Sequence, residues 1–356
     1  FNRSYDRHSE LSKNVYRVQY SRWSDVGEKV SFASATPVIG PAIRETFPEV
    51  ASMGRAYKVE GVFFYEGRSF DENRVFYGEA PLFEMLGYDI LKGDIKNNFD
   101  FPAKIALSES VARKYFMDAD PIGKVVYWNK KTPLEVVAVY SDPLPNMHFK
   151  SDIFISLQTW VQQSPEIFTS GWLYSGFYTY ISLKEGSDPL KIEDGIAGYV
   201  NDNYGEALSE GGIDMGFKLQ PLTGIHLGSH LMHEIEPNGD KASVDFLEII
   251  AWFILIIAWA NFFNLSTIAA IQRLKELGMR KVSGASNGRL FSQLLIESAV
   301  INTLAILLAL AIYEISSLFF FPFAALPEGL SLWQQGWFYA MIGIALVVGT
   351  FSAGIY

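Results

Sequence analysis

The chain has 356 residues, no cysteine and a formal net charge of −10 at pH 7, and 49% of its residues are hydrophobic. Without cysteine it has no disulfide and no thiolate metal site, and its acidic balance argues against a basic face built for nucleic acid. The whole of the net charge lies before Phe246, because from there to the end five acids balance five bases. The chain therefore divides into an acidic, polar region and an apolar one.

Asn2 to Lys13 is polar and reads as a connector. Asn14–Tyr20 alternates Val15, Tyr16, Val18 and Tyr20 and predicts a strand. Pro37 to Phe47 predicts a helix that Pro48 ends, and Met53 to Tyr65 a return strand, which completes a first β-α-β unit. From Glu66 to Leu157 the texture changes to short strand-like runs between turns: Val75–Tyr77, Ile105–Leu107, Lys124–Trp128, Leu134–Val139 and Ile153–Ile155. Within it Ser108–Phe116 predicts a helix capped by Ser108, with Val111 and Tyr115 on one face. This block, about 66–157, reads as a mostly-β insertion. Tyr178–Leu183 is again a strand, Ser187 is placed to cap a helix from Asp188 to about Asn203, and Met215–Leu219 closes a second β-α-β unit. Residues 1–245 thus predict an α+β domain.

The remainder, 246–356, predicts an all-α transmembrane bundle. Apolar runs cover Phe246 to about Ala270 and Leu294 to Phe321, and a third starts near Trp337 and is cut off at Tyr356. Crossing a hydrocarbon core takes about 20 apolar residues. The first span is expected to continue as one helix to about Val282, to break at Gly284, and to give way to a helix capped by Ser286. Arg273, Lys275, Arg280, Lys281 and Arg289 crowd between the first two runs against the single acid Glu276, whereas Pro322 to Gly336 carries no Lys or Arg. The positive-inside rule makes the basic elbow, about 271–293, cytoplasmic and the acidic domain external, which in a bacterium is the periplasm. Trp333 and Trp337 sit where an outer aromatic belt is expected. No signal peptide opens the chain, yet the external domain must be translocated. A transmembrane helix before Phe1 is therefore expected, and the sequence reads as part of a longer membrane protein.

The chain contains no G-x-x-x-x-G-K-[ST], whose backbone amides would cradle phosphates; Gly123-Lys124 is a turn. Any ATP, and its Mg, is expected on a partner, and no cofactor in this chain. His226, His230 and His233 are spaced four and three apart, a spacing that could serve zinc on a helix. Pro221, Gly224 and Gly228 argue against a helix there, so the segment reads as a juxtamembrane loop. Asn261, Asn264, Ser266, Thr267, Asn302 and Glu314 are polar groups inside apolar runs, expected to face neighbouring helices or a cavity. Glu314, placed near the middle of the second span, is the candidate for a buried partner. No pair of carboxylates and no Ser-His-Asp set stands out as catalytic.

The string NFFNLSTIAAIQRLKELGMRKVSGASNGRLFSQLLIES resembles the signature of FtsX-like permeases, the membrane subunits of MacB-type ABC transporters. SYDRHSELSKNVYRV resembles the opening of that family's periplasmic core domain. ALSESVARKYF with DPIGK, and LQPLTGIHL, resemble the large permeases of Bacteroidetes-type bacteria. Relatives often carry an acid where Gly224 stands. The resemblance implies a porter-like α/β part with a mostly-β insertion, and one helix before the periplasmic domain with three after it. It also leaves room for a second repeat after Tyr356. Glu276, Gly278, Arg280, Lys281, Gly284 and Ala285 match the family motif and, with Ser286 and Arg289, make up an elbow that would dock an ABC ATPase. From charge alone, topology control or contact with anionic lipid accounts for the same bases equally well. The expected function is a permease that couples a partner's ATP hydrolysis to periplasmic movement. It would lie in the inner membrane as a homodimer or pseudo-dimer, with a periplasmic adaptor as a further partner. The rival is a membrane protein that senses a ligand or regulates a cell-wall hydrolase.

Overall fold

The computed structural model describes residues 1–24, 27–172, 174–210, 214–283, 286–323, 333 and 336–354. It divides into two compact units, Phe1–Val244 and Asp245–Tyr356.

The first unit is built on one sheet. Its strands are β1 (Val15–Ser24), β2 (Gly27–Phe32), β3 (Val50–Tyr65), β4 (Arg68–Gly78), β5 (Ile90–Gly93), β6 (Lys104–Ser108), β7 (Val125–Trp128), β8 (Thr132–Tyr140), β9 (Ile153–Ser156), β10 (Phe177–Leu183) and β11 (Asp214–Pro221). The order is β11-β1-β10-β3-β4-β9-β6-β8-β5, with β2 beside β1, and β7 against β3 and β8. β10 lies between β1 and β3 and is antiparallel to both, so β1 and β3 run parallel, joined through α1 (Ile39–Thr46). In the same way β1 separates β10 from β11, which α7 (Pro189–Glu210) connects. The two β-α-β units therefore interlock, each placing a strand between the strands of the other, a split β-α-β arrangement.

β3 explains why the change of texture after Glu66 does not make a separate sheet. It is 16 residues long, pairing with β10 as far as Tyr57 and with β4 out to Tyr65. At about 3.3 Å per residue it is some 50 Å long, and its last eight residues carry the ladder roughly 26 Å past its pairing with β10. The turn there, Glu66-Gly67, has both φ angles positive, 46° and 76°. Such a two-residue turn matches the right-handed twist of its strands and suits glycine.

Local chemistry sets the helices. Ser108 Oγ accepts the Val111 N–H at 3.4 Å at the head of α4 (Glu109–Phe116), whose Val111, Ala112, Tyr115 and Phe116 are buried. At α7 the cap is Asp188, which accepts the Leu190 N–H at 3.0 Å, not the neighbouring Ser187; a carboxylate one residue closer to the helix is the better-placed acceptor. α1 and α7 cover one face through Ile39, Ile43, Ile192 and Ile196, packed on Val18, Tyr20 and Ile181. The opposite face is covered by α2 (Pro81–Leu86) and α3 (Ile95–Asn98), and by α8 (Ile225–Gly228), a single turn. The inserted region has its own cluster around Phe63, Tyr115, Val126 and Ile155, flanked by α5 (Gln158–Gln163) and α6 (Pro165–Ser170).

The second unit holds α9 (Lys241–Val282, 42 residues), α10 (Asn287–Phe323, 37 residues) and α11 (Gly336–Gly354, 19 residues). Lys241–Leu265 and Leu290–Phe319 are long and apolar enough to cross a membrane, at 25 and 30 residues. Their side chains are exposed on nearly every face, among them Leu255, Ile256, Leu304 and Leu308. A helix that is apolar all round is a membrane span or a core helix, and these lie outside any core. α10 and α11 pack closely where Gly349 sits against Asn302: a Cβ on Gly349 would meet Asn302 Oδ1 at 2.8 Å.

Candidate functional site

The elbow is bounded by α9, which ends at Val282 as expected, and α10, which starts one residue after Ser286. Ser283 closes α9, its N–H reaching Met279 O at 3.0 Å and its hydroxyl donating to the same oxygen at 2.9 Å. Leu290 N–H donates to Ser286 O at 3.2 Å. Gly284 and Ala285 lie outside the described residues, as do the side chains of Glu276, Arg280, Lys281 and Arg289. Gly278 is in the helix with no described atom of another part of the protein within 4 Å of where its Cβ would be. Beside it Met279 and Val282 are exposed, Val282 at 91%. Met279 and Val282 flank Arg280 and Lys281 in the sequence and were not among the residues that sequence reasoning named.

The polar groups of the spans do not gather into one site. Asn261 and Asn264 are exposed, and Asn264 borders a cleft of about 410 Å³ with Trp259, Phe263 and Val348. Thr267 bonds back to Phe263 O at 2.9 Å, and Asn302 bonds to Ser298 O and packs on Gly349; Ser266 has no described side chain. Glu314 lies toward the C-terminal end of its apolar stretch, not at the middle, and accepts the indole N–H of Trp333. Its side chain is exposed within this chain, and the partner it meets among the described residues is Trp333. That fits an acid placed where the apolar stretch runs out.

The three histidines also diverge. A short 3₁₀ turn at Leu222–Gly224 leads into α8, so the first part of this segment is helical despite its glycines. His226 is buried and stacked on Tyr5 at 3.4 Å, with Nε2 3.2 Å from Asn2 Oδ1. His230 stands near Asp240 at 4.0 Å. His233 has a φ of 61° and lies beside Phe32. Among the described residues no three His, Cys, Asp or Glu side chains are grouped to hold a metal. Burial lowers the His226 pKa, the charge of Asp6 opposing in part.

A side chain that sequence reasoning did not select organises this segment. Arg17, on the face of β1 that also carries Val15, is fully buried. Its Nη1 and Nη2 donate to Glu234 Oε2 and Oε1 at 2.7 and 2.9 Å, and Nη2 also to Gln220 Oε1 and Ser229 Oγ. Burial raises the Glu234 pKa, but the hydrogen bonds and charge of Arg17 outweigh it and hold the carboxyl below its ordinary value. The available signal was a base at an inward position of an alternating strand. Elsewhere in the domain, a cleft of about 810 Å³ opens beside Leu11, Phe83 and Met147, with Glu84, Asp89, Asp100 and Asp142 against Lys96 and His8. Its size and mixed lining suit a small-molecule or peptide ligand.

The family described as MacB-like periplasmic core domain matches residues 2–199, and that described as FtsX-like permease C-terminal matches residues 248–356. The macrolide export ATP-binding/permease protein MacB of Neisseria gonorrhoeae is 23% identical over 295 residues, covering 81% of this chain and 39% of that protein. The chain thus spans about two fifths of the length of that relative. The uncharacterized ABC transporter permease YknZ of Bacillus subtilis is 24% identical over 208 residues, 58% of this chain and 47% of that one. A crystal structure of a domain of a permease protein from Porphyromonas gingivalis superposes with a TM-score of 0.54 at 18% identity, over 67% of this chain and 98% of that domain. The mixed α/β domain and the long apolar helices are those of this group, and the chain belongs to the MacB-type, FtsX-like family of ABC transporter permeases.

Proposed function

We propose that this chain is a mechanical coupling subunit: a partner ABC ATPase binds and hydrolyses ATP with Mg at the cytoplasmic elbow, and the movement is carried to the external domain to export or extract a substrate. The observation that carries this reading is α9. It runs unbroken for 42 residues, roughly 60 Å at 1.5 Å per residue, which exceeds the ~40–45 Å of a whole bilayer. A helix that begins directly after the external domain and ends among the elbow bases is a stiff rod between two compartments. The setting is the inner membrane, with several spans per chain and a dimer or pseudo-dimer around the ATPase; a periplasmic adaptor would extend the path outward. Co-purification with an ABC ATPase from the same cell, in nanodiscs, tests this: the chain should raise or gate that ATPase's turnover, and the absence of any ATPase that binds or responds would contradict it. A second reading, ligand sensing by the external domain, is favoured by the 810 Å³ cleft; ligand binding there with no effect on any ATPase would mark it.

A further inference from the structure

Coupling requires that the link between α9 and the sheet have no slack, and the segment between β11 and α9 is held at close intervals. Met232 joins the edge strand β2: its N–H donates to Ser31 O at 3.1 Å, and its O accepts the Ala33 N–H at 2.8 Å. Tyr178 of β10 donates its hydroxyl to His233 O at 2.9 Å. Glu234 takes the Arg17 fork, and Glu236 takes Lys150 Nζ at 2.6 Å. Asn238 bonds back to Ser229 O at 2.9 Å. Asp240 then caps α9, accepting the Ser243 N–H at 2.8 Å. From Met232 to Glu236 no more than one residue lies between successive ties to the rest of the domain; Asn238 is tied to Ser229, which the Arg17 guanidinium also holds, and Asp240 to the first turn of α9. A chain spans at most about 3.6 Å per residue, so any slack between the sheet and α9 is confined to the four residues after Glu236, at most roughly 14 Å of chain.

Arg17 differs from the other ties. It is the fully buried one, and its guanidinium gathers its own strand β1, Gln220 of β11, and Ser229 and Glu234 of the strap. A two-pronged guanidinium–carboxylate pair accepts one geometry and one register. A buried charge left alone is costly enough that the strap cannot slip past it to a neighbouring register. We propose that Arg17 is a positioning residue that pins this strap to β1, the second strand of the sheet, so that displacement of α9 reaches β1 and β10. The proposal rests on the coupling function above and deepens it.

The test uses the full chain in nanodiscs with its partner ATPase, read by hydrogen exchange. Arg17→Met breaks the pin. Glu234→Gln, outside the sheet, removes the same charge pair with little change of shape and serves if Arg17→Met does not fold. Arg55→Met is the matched control: it breaks another buried pair of the same sheet, Arg55 with Glu79, away from the strap. Without nucleotide, exchange at the Met232 and Ala33 amides should rise roughly 100-fold or more in the pin variants and stay unchanged in Arg55→Met. With ATP, the parent should change exchange in α9, β1 and β10. The pin variants should keep the α9 change and lose that of β1 and β10, whereas Arg55→Met should keep both. Pin variants that still transmit to β1 and β10, an Arg55→Met that loses transmission equally, or unchanged Met232 protection overturns the pin. A parent with no ATP response even in α9 instead overturns the coupling function, and the transmission claim falls with it; the nucleotide-free comparison then decides the seating alone.

Discussion

Gly278 separates docking from mere helix formation. It lies inside α9, four residues from the helix end, and a Cβ there meets no described atom of another part of the protein within 4 Å. Replacing glycine in a helix interior with alanine gains about 0.8–1 kcal/mol, and leucine gains nearly as much. If α9 were only a span with a basic end, both Gly278→Ala and Gly278→Leu should be neutral or stabilising in every respect. If the elbow seats in a groove of the ATPase, the leucine side chain must be overpacked at that contact, at a cost of about 1–3 kcal/mol, or roughly 5- to 150-fold in affinity. The assay is a pair of measurements on each variant: thermal unfolding of the full chain in detergent, and affinity for the ATPase in nanodiscs. Gly278→Leu should leave the midpoint unchanged or raised and weaken the complex at least 5-fold, with Gly278→Ala between it and the parent. Equal affinity for all three would refute the docking role of this face.

Topology should follow the elbow bases: an impermeant thiol reagent, given to cells with a permeabilised outer membrane, should label Ser187→Cys and spare Ser286→Cys, and the reverse pattern would overturn the orientation. Residues 1–240, expressed alone, should be soluble and unfold in one cooperative step, because the three apolar clusters all lie within them; a product that stays aggregated would count against an independent domain. Acidification should weaken this domain through His226. Folding holds its ring neutral with a lowered pKa, so its contribution is complete above the unfolded value, near 6.5, and is lost as the pH falls through the lower folded value. The unfolding midpoint should therefore drop between pH 7.5 and 5.5, and His226→Phe, which keeps a ring on Tyr5, should flatten that drop; an identical slope would assign it elsewhere.

Much of this was legible in the sequence because periodicity and caps are local. Val15, Val18 and Tyr20 mark β1, Ser108 marks the head of α4, and the apolar runs lie within α9 and α10 and mark the start of α11 to one residue. What was not legible depends on contacts between distant residues. β2 was unseen, since Gly27–Phe32 has only two large apolar side chains, Val30 and Phe32, too few to show a period, and is fixed by pairing with β1. That β10 would lie between β1 and β3 is invisible to any local window. Arg17 and Glu234 are 217 positions apart, and although a base within β1 is a signal of its own, nothing local to either residue names the other as its partner. The polar residues of the spans were named from composition, but which of them meets a neighbour, as Asn302 meets Gly349 and Glu314 meets Trp333, follows from helix packing.

The central claim is that the elbow passes the work of an ATPase to the rest of the chain, and ATP turnover by the assembled complex measures it most directly. Parent and Arg280→Glu/Lys281→Glu chains, each shown to be inserted with the external domain folded, would be reconstituted with the partner ATPase and compared. The account predicts that the double reversal loses the complex or the response of turnover to the permease, while Lys275→Ala, which leaves the charges of Arg280 and Lys281 in place, changes neither by more than about twofold. Normal assembly and normal turnover with the double reversal would contradict it.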